Sequence, residues 1–150
     1  MKKSLCIFVV IALVLGAGTM IVQRSAANTP NDVVIIVHPS QNISSISRDD
    51  IAKLFLKKTT QWSDGTKVEP VDLSEDSNTR ALFSEAFLGK KVSAISSYWQ
   101  QQIFSGRAVP PEVKPTDSDV VSFVKANSHA IGYVSKGTTV EGVKIVTVVD

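Results

Sequence analysis

The sequence predicts an α/β domain in which a mixed β-sheet is flanked by helices. Residues 33–37 are five consecutive β-branched residues, which is typical of a strand buried on both faces. Four later segments carry apolar residues at helical spacing, and two apolar stretches, residues 130–134 and 143–148, close the chain. The predicted order is strand, helix, strand, three helices and two strands, so helices are expected to cover the sheet.

The first 27 residues have the features of an export segment. Lys2 and Lys3 give a positive start, and the eighteen residues 5–22 carry no charge. That length is near the minimum for a membrane-spanning helix and long for the apolar core of a signal peptide. Small residues at 25–27 suit a signal peptidase. Residues 1–27 are therefore either a cleaved signal peptide or a retained membrane anchor, and we expect the domain in the periplasm or at the extracytoplasmic face of the inner membrane.

The net charge and the cysteine content of the domain argue against a disulfide-bonded core and against nucleic-acid binding. Cys6 is the single cysteine and lies in the export segment, so the domain core must hold together without a disulfide. Of 16 basic and 14 acidic residues, Lys2, Lys3 and Arg24 belong to the export segment, which leaves 13 basic residues against 14 acidic ones. A domain so close to neutrality lacks the excess of positive charge that is typical of nucleic-acid-binding domains.

Particular residues mark where the first strand and the first helix of the domain begin and end. Residues 28–32 are polar, contain a proline and are interpreted as a tether to a domain over residues 33–150. Pro39 ends the first strand because proline cannot continue the strand ladder. Ser47 is the predicted N-cap of the first helix, since two acidic residues follow it in the positive first turn. The apolar stripe of this helix is Ile51, Leu54 and Phe55.

The middle of the chain predicts a second strand and a second helix. An Asp-Gly turn at residues 62–65 precedes a strand over residues 68–73, in which Pro70 suggests an edge position or an irregular pairing. The second helix starts within residues 74–79, and Gly89 is a favourable residue just past its end.

Two more helices are predicted before the closing strands. Residues 92–104 form the third helix, and residues 117–127 form the fourth. Between them, Pro110 and Pro111 enforce an extended crossing. The aromatic residues of these helices and turns are expected in the core. They are Trp62, Tyr98 and Trp99.

A series of short motifs runs through the chain in a fixed order. They are VHPS at 37–40, ISSIS at 43–47, LFL at 54–56, WSDG at 62–65, VEPV at 68–71, YW at 98–99, IFSGR at 103–107 and AIGYV at 130–134. Together these motifs resemble PstS-like substrate-binding proteins of phosphate ABC transporters, in particular short members of that superfamily. The resemblance implies a single lobe of a periplasmic-binding-protein-like fold and a non-enzymatic, solute-binding or sensing function.

The resemblance also implies an anion site at the start of the second helix. Family members carry Arg-x-Asp-x-Ser-Gly-Thr there, and in this chain Ser77 and Thr79 stand at the Ser and Thr positions. Glu75 stands at the acidic position, whereas Leu73 replaces the arginine and Asn78 the glycine. The helix start keeps part of the family pattern and lacks its guanidinium.

The residues themselves allow two interpretations of this helix start. Free amides and the helix dipole attract anions, so Ser77, Thr79 and Arg80 are candidate ligand-binding residues, and Arg107 could support the same ligand. In the other interpretation Asp76 or Ser77 only caps the helix, Arg80 is solvated, Arg107 caps a helix end and nothing binds. Three nearby carboxylates, which would repel an anion, favour this second interpretation.

The sequence offers little for catalysis or a cofactor. His38 and His129 have no partner at metal-ligand spacing, and no nucleophile elbow, phosphate-binding loop or dinucleotide fingerprint is present. We therefore expect no enzyme, no metal and no cofactor.

Two functions follow as expectations. One is an exported domain that binds or senses phosphate or a similar oxyanion. The alternative is a protein-interaction module of the cell envelope that has kept the scaffold without a ligand, because a single lobe cannot close over a solute as two hinged lobes do. In either case membrane contact is expected only through the N-terminal segment, if it is retained.

Overall fold

The computed structural model describes residues 32–150, which form six strands and four helices. The strands are β1 Val33–Val37, β2 Ser45–Ser47, β3 Glu69–Leu73, β4 Glu112–Lys114, β5 Ala130–Ser135 and β6 Lys144–Val149. The helices are α1 Arg48–Phe55, α2 Asn78–Leu88, α3 Val92–Phe104 and α4 Asp117–Ala126. The predicted export segment and most of the tether lie outside the described residues. In the described part of the chain, no helix has both the length and the apolar character needed to cross a membrane.

All six strands belong to one sheet, in the order β2-β6-β1-β5-β3-β4. Strand β1 is antiparallel to both of its neighbours, β5 and β6. The remaining pairs, β2 with β6, β5 with β3 and β3 with β4, are parallel. The prediction of an α/β domain with a mixed sheet is confirmed.

Helices cover both faces of this sheet, as consecutive residues of β5 show. A Cβ atom at Gly132 would lie 2.7 Å from Val120 Cγ1 of α4, so this residue faces α4. The next residue, Tyr133, points to the opposite face. Its ring stacks on Phe83 of α2 with 3.8 Å between centroids and lies 5.6 Å from the ring of Phe55 in α1. The core is therefore built in two layers, one on each side of β5.

Local signals placed the helix ends correctly. The Ser47 hydroxyl oxygen accepts the N–H of Asp50 at 3.1 Å, as expected of an N-cap. Gly89 follows α2 with φ of 63°, a left-handed conformation that a glycine adopts without strain. Trp62 and Trp99 are buried as predicted, and the half-buried Tyr98 donates its hydroxyl to the Leu56 carbonyl at 2.9 Å.

Of the two expectations for Pro70, an edge position or an irregular pairing, the structure shows the second. Strand β3 lies inside the sheet, between β5 and β4, and Pro70 is paired with Ile131 of β5. The pairing is nevertheless irregular, because β4 pairs with β3 only from Val71 onward. Two strands, β2 and β4, were not predicted at all. Strand β4 continues the extended crossing that begins at Pro110.

Candidate functional site

The candidate site lies where β3 ends and α2 begins. The chain leaves the sheet after Leu73, turns at Ser74 and enters the helix at Asn78. Ser77 is the N-cap: its backbone is extended, with φ of −70° and ψ of 128°, and its hydroxyl oxygen accepts the N–H of Arg80 at 3.3 Å. The cap predicted from the sequence is thus formed by Ser77.

In the described part of the chain, three hydrogen-bond donors at this helix start have no acceptor. Within residues 32–150, no acceptor is hydrogen-bonded to the N–H of Asn78 or to that of Thr79. The Ser77 hydroxyl uses its oxygen as an acceptor, so its proton is left to be donated. The first turn of α2 holds no acidic residue, so the positive end of the helix dipole is not neutralised from within the helix.

Thr79 is buried and its hydroxyl points to another element. It lies 3.4 Å from Asp117 Oδ2, at the start of α4. The same carboxylate oxygen accepts the N–H of Ser135 at 2.8 Å and the hydroxyl of Thr138 at 2.9 Å. Thr79 therefore presents its backbone N–H, and not its hydroxyl, at the helix start.

Arg80 turns back beneath the helix and is 5% exposed. Its Nη1 forms an ion pair with Asp72 and donates to the Leu73 carbonyl at 3.1 Å. Burial alone would lower the pKa of Arg80, but the combined effect of its neighbours Asp72 and Tyr133 raises that pKa. The interpretation of Arg80 as a solvated residue was wrong, because an acidic partner in β3 draws the guanidinium inward.

Tyr133 completes this buried cluster. Its hydroxyl donates to Asp72 Oδ1, and the same carboxylate oxygen accepts the N–H of Leu73 at 2.9 Å. Burial raises the pKa of Tyr133, and the neighbouring Asp72 carboxylate adds to the shift, so the phenol stays protonated. The pairing of Asp72 with Tyr133 and Arg80 was not predicted from the sequence. The available signal was an aspartate inside the apolar strand β3.

A groove of about 220 Å³ opens beside the cluster, between the β3–α2 corner and α3. Arg80 and Glu75 line it from one side, and Ser96 and Trp99 of α3 line it from the other. Glu75 Oε1 accepts the Ser96 hydroxyl at 2.5 Å, which leaves its charge at the groove. Arg107 does not line this groove. It lies exposed on the loop after α3, without a side-chain hydrogen bond or ion pair within the described chain.

Several solved structures share this fold. One, described as a phosphate ABC transporter substrate-binding protein with bound phosphate from Clostridium perfringens, is 21% identical with a TM-score of 0.64. An ABC-type phosphate transport receptor from Vibrio cholerae is 20% identical with a TM-score of 0.61, and PstS from Borrelia burgdorferi is 18% identical with a TM-score of 0.62. These identities establish the fold and not the ligand.

The similarity covers 78% of this chain in all three cases, but only 44%, 46% and 47% of the three solved chains. The chain thus spans less than half the length of these structures, as expected for a single lobe. No curated protein matches this sequence. A family model described as a PBP superfamily domain matches residues 27–147. Since this match takes in nearly the whole domain, the chain belongs to the PBP superfamily.

Proposed function

We propose that this domain binds a small oxyanion, phosphate or a close relative, and serves in solute capture or sensing without catalysis. The observation that carries the proposal is a set of three donors at the start of α2 that find no acceptor among the described residues: the Ser77 hydroxyl and the N–H groups of Asn78 and Thr79. Membership of the PBP superfamily and the fold shared with phosphate-binding proteins support it.

The chemistry of this helix start suits a weakly held anion. Backbone N–H groups at a helix N-terminus point at an anion, and the helix dipole adds to the attraction. Arg80 contributes chiefly by position, since its N–H fixes the Ser77 hydroxyl oxygen and its guanidinium is already paired with Asp72. Glu75 and Asp76 oppose a high negative charge, so a protonated oxyanion that can donate to a carboxylate is favoured.

Arg107 has a supporting role in this proposal. It follows α3 on the loop that continues to Pro110 and Pro111, which line the groove beside the site. Its exposed guanidinium has no partner in the described chain and adds positive charge on that side of the domain. We expect Arg107 to affect the rate and salt dependence of anion binding more than its strength at physiological salt.

Calorimetric titration of residues 28–150 with phosphate, sulfate and molybdate tests the proposal. The informative variant is Asn78→Pro, which removes one of the free N–H groups. Proline is well tolerated at the first helical position, and the extended backbone of Ser77 suits a residue that precedes proline. We expect Asn78→Pro to weaken binding several-fold, because an N–H bond to an anion is lost.

The matched control is Asn78→Ala, which removes the side chain but keeps the N–H, and it should bind as the wild type does. Circular dichroism checks that both variants keep the helix. The proposal fails if none of the three anions gives heat at millimolar concentration, or if Asn78→Pro binds as tightly as Asn78→Ala.

We further propose that residues 1–27 direct export, that residues 28–32 tether the domain, and that residues 33–150 act on the outer side of the inner membrane. The charge pattern of the first residues supports this, as does the fold shared with transporter-associated binding proteins. Mass spectrometry of the protein from cell envelopes provides the test. A mature chain that begins at Asn28 indicates a cleaved signal, and one that begins at Met1 indicates a retained anchor. Recovery of the full chain only from the cytosol would contradict export.

A second candidate function is a protein-interaction module without a solute. It is favoured because the side chains of two candidate ligand-binding residues are already engaged within the protein: Thr79 with Asp117, and Arg80 with Asp72. In that case phosphate, sulfate and molybdate should give no heat, whereas a pull-down from envelope extracts should recover a specific protein. Failure of the pull-down would count against this candidate.

A further inference from the structure

Apolar side chains protrude from the C-terminal end of α3 and the loop that follows. Phe104, the last residue of α3, is 97% exposed, Val109 is 64% exposed and Ile103 is 53% exposed. The chain turns sharply between them at Gly106, which has φ of 66°. We call residues 103–109 the α3 tip. Phe104 belongs to neither of the two apolar clusters of the domain, so its ring contributes nothing to the core.

Positive charge surrounds these apolar side chains. Arg107 lies within the α3 tip, exposed and without a partner in residues 32–150. Lys90 lines a shallow groove together with Phe104. On the other side, Lys57 Nζ donates to the Pro110 carbonyl at 3.3 Å, which brings a third cation to the loop.

The acidic residues near the α3 tip do not balance these cations. Glu112 is paired with Lys114 at 2.5 Å. Glu69, which lies near Lys57, is paired with Lys67 at 2.8 Å. Glu75, which shares the neighbouring groove with Ile103, has a carboxylate without an ion pair in residues 32–150. The surface around the α3 tip is thus positive, although the domain as a whole carries 13 basic and 14 acidic residues.

We propose that the α3 tip docks on an anionic lipid surface, with Phe104 inserted among the lipid head groups. An exposed apolar patch marks a membrane or protein contact, and basic residues next to it are attracted to anionic lipids. Charge complementarity argues against a second copy of this chain, because two positive tips would face each other.

This inference does not depend on the proposed oxyanion site, which lies at the start of α2. Binding of residues 28–150 to sedimented vesicles tests it, and this piece suffices because the whole sheet and both apolar clusters lie within residues 32–150. One set of vesicles holds phosphatidylcholine alone, and the other holds equal parts of phosphatidylcholine and phosphatidylglycerol. We expect binding to the anionic vesicles only, and weaker binding as salt is added.

Two variants of the α3 tip separate the apolar and electrostatic parts. Phe104→Ser should lower vesicle binding by about tenfold or more, because the variant has no aromatic side chain to bury in the membrane. Arg107→Ala should lower it by about fivefold, the effect of one basic residue near an anionic surface. The control Ile145→Ser removes an aliphatic side chain that is 54% exposed on β6 and should leave binding unchanged. Thermal melting should be the same for wild type and Phe104→Ser.

Several results would overturn the proposal. These are the absence of binding to anionic vesicles at low salt, equal binding to both vesicle types, and full binding by Phe104→Ser. Sedimentation equilibrium provides a further check: a dimer of the wild type that dissociates in Phe104→Ser would assign the α3 tip to a second copy. Another such result is an envelope protein that binds the wild type stoichiometrically and does not bind Phe104→Ser, while the wild type binds no vesicles. That result would assign the α3 tip to a protein partner.

Discussion

Replacement of Asp72 by asparagine should strongly destabilise the fold. Asparagine keeps the shape of the side chain and an acceptor for the Tyr133 hydroxyl, but it removes the charge that compensates Arg80. The two side chains of the ion pair are 5% and 7% exposed, so solvent cannot screen the uncompensated guanidinium. Removal of one partner from a buried ion pair costs about 3–5 kcal/mol.

Urea denaturation measures this loss. For a domain of this size the free energy of unfolding falls by about 1–3 kcal/mol per molar urea, so the midpoint of Asp72→Asn should lie roughly 2 M below that of the wild type. The slope should stay the same, because the variant exposes the same surface on unfolding. Intrinsic fluorescence of the buried Trp62 and Trp99 reports the transition.

A double-mutant cycle with Arg80→Met identifies the source of the loss. Each single variant leaves one buried charge without its partner, whereas Asp72→Asn combined with Arg80→Met leaves none. The double variant should therefore be more stable than the sum of the single losses predicts, by about 2 kcal/mol or more. A loss below about 1 kcal/mol for Asp72→Asn, or additive losses, would refute the assignment of a buried ion pair.

Two further predictions concern packing and pH. Gly132→Ala should lower the free energy of unfolding by about 1–3 kcal/mol, because the new methyl group would meet Val120 Cγ1 at 2.7 Å. In a Val120→Ala background, Gly132→Ala should cost less in urea denaturation than it does in the wild type, and an equal cost in both backgrounds contradicts the contact. Asp64 accepts the hydroxyl and the N–H of Thr66, which lowers its pKa below the ordinary 3.8. This contribution to stability is present above the unfolded value and lost as pH falls through the folded pKa. Thr66→Val should raise the pKa of Asp64 in an NMR titration, and an unchanged pKa would disprove the cause.

The elements set by local chemistry could be predicted from the sequence. The β-branched residues 33–37 form a strand near the middle of the sheet, Ser47 caps α1, and Gly89 ends α2. The strands β2 and β4 could not be predicted in this way. Each has only three residues, too few for a periodic pattern, and each is defined by its pairing with β6 or β3, which the sequence does not reveal.

At the candidate site, the helix start could be predicted from the sequence, but the contacts around it could not. Ser77, one of the two predicted N-cap residues beside Asp76, caps the helix, and an N-cap is a local feature of neighbouring residues. The position of Arg80 depends instead on Asp72 in one strand and Tyr133 in another, which come together only in the folded sheet. A charged residue inside an apolar strand was the one available indication that a buried partner must exist.

The pairing of β1 has a consequence for how the chain reaches its native state. Val33 is paired with Ser135 and Ile35 with Val146, so the opening strand has both of its neighbours in the last part of the chain. Such non-local pairing slows folding, since a long loop must close before any contact forms. A nascent or truncated chain that stops before β5 therefore carries an apolar, β-branched strand without either of its pairing partners, and unpaired strand edges of this kind favour aggregation.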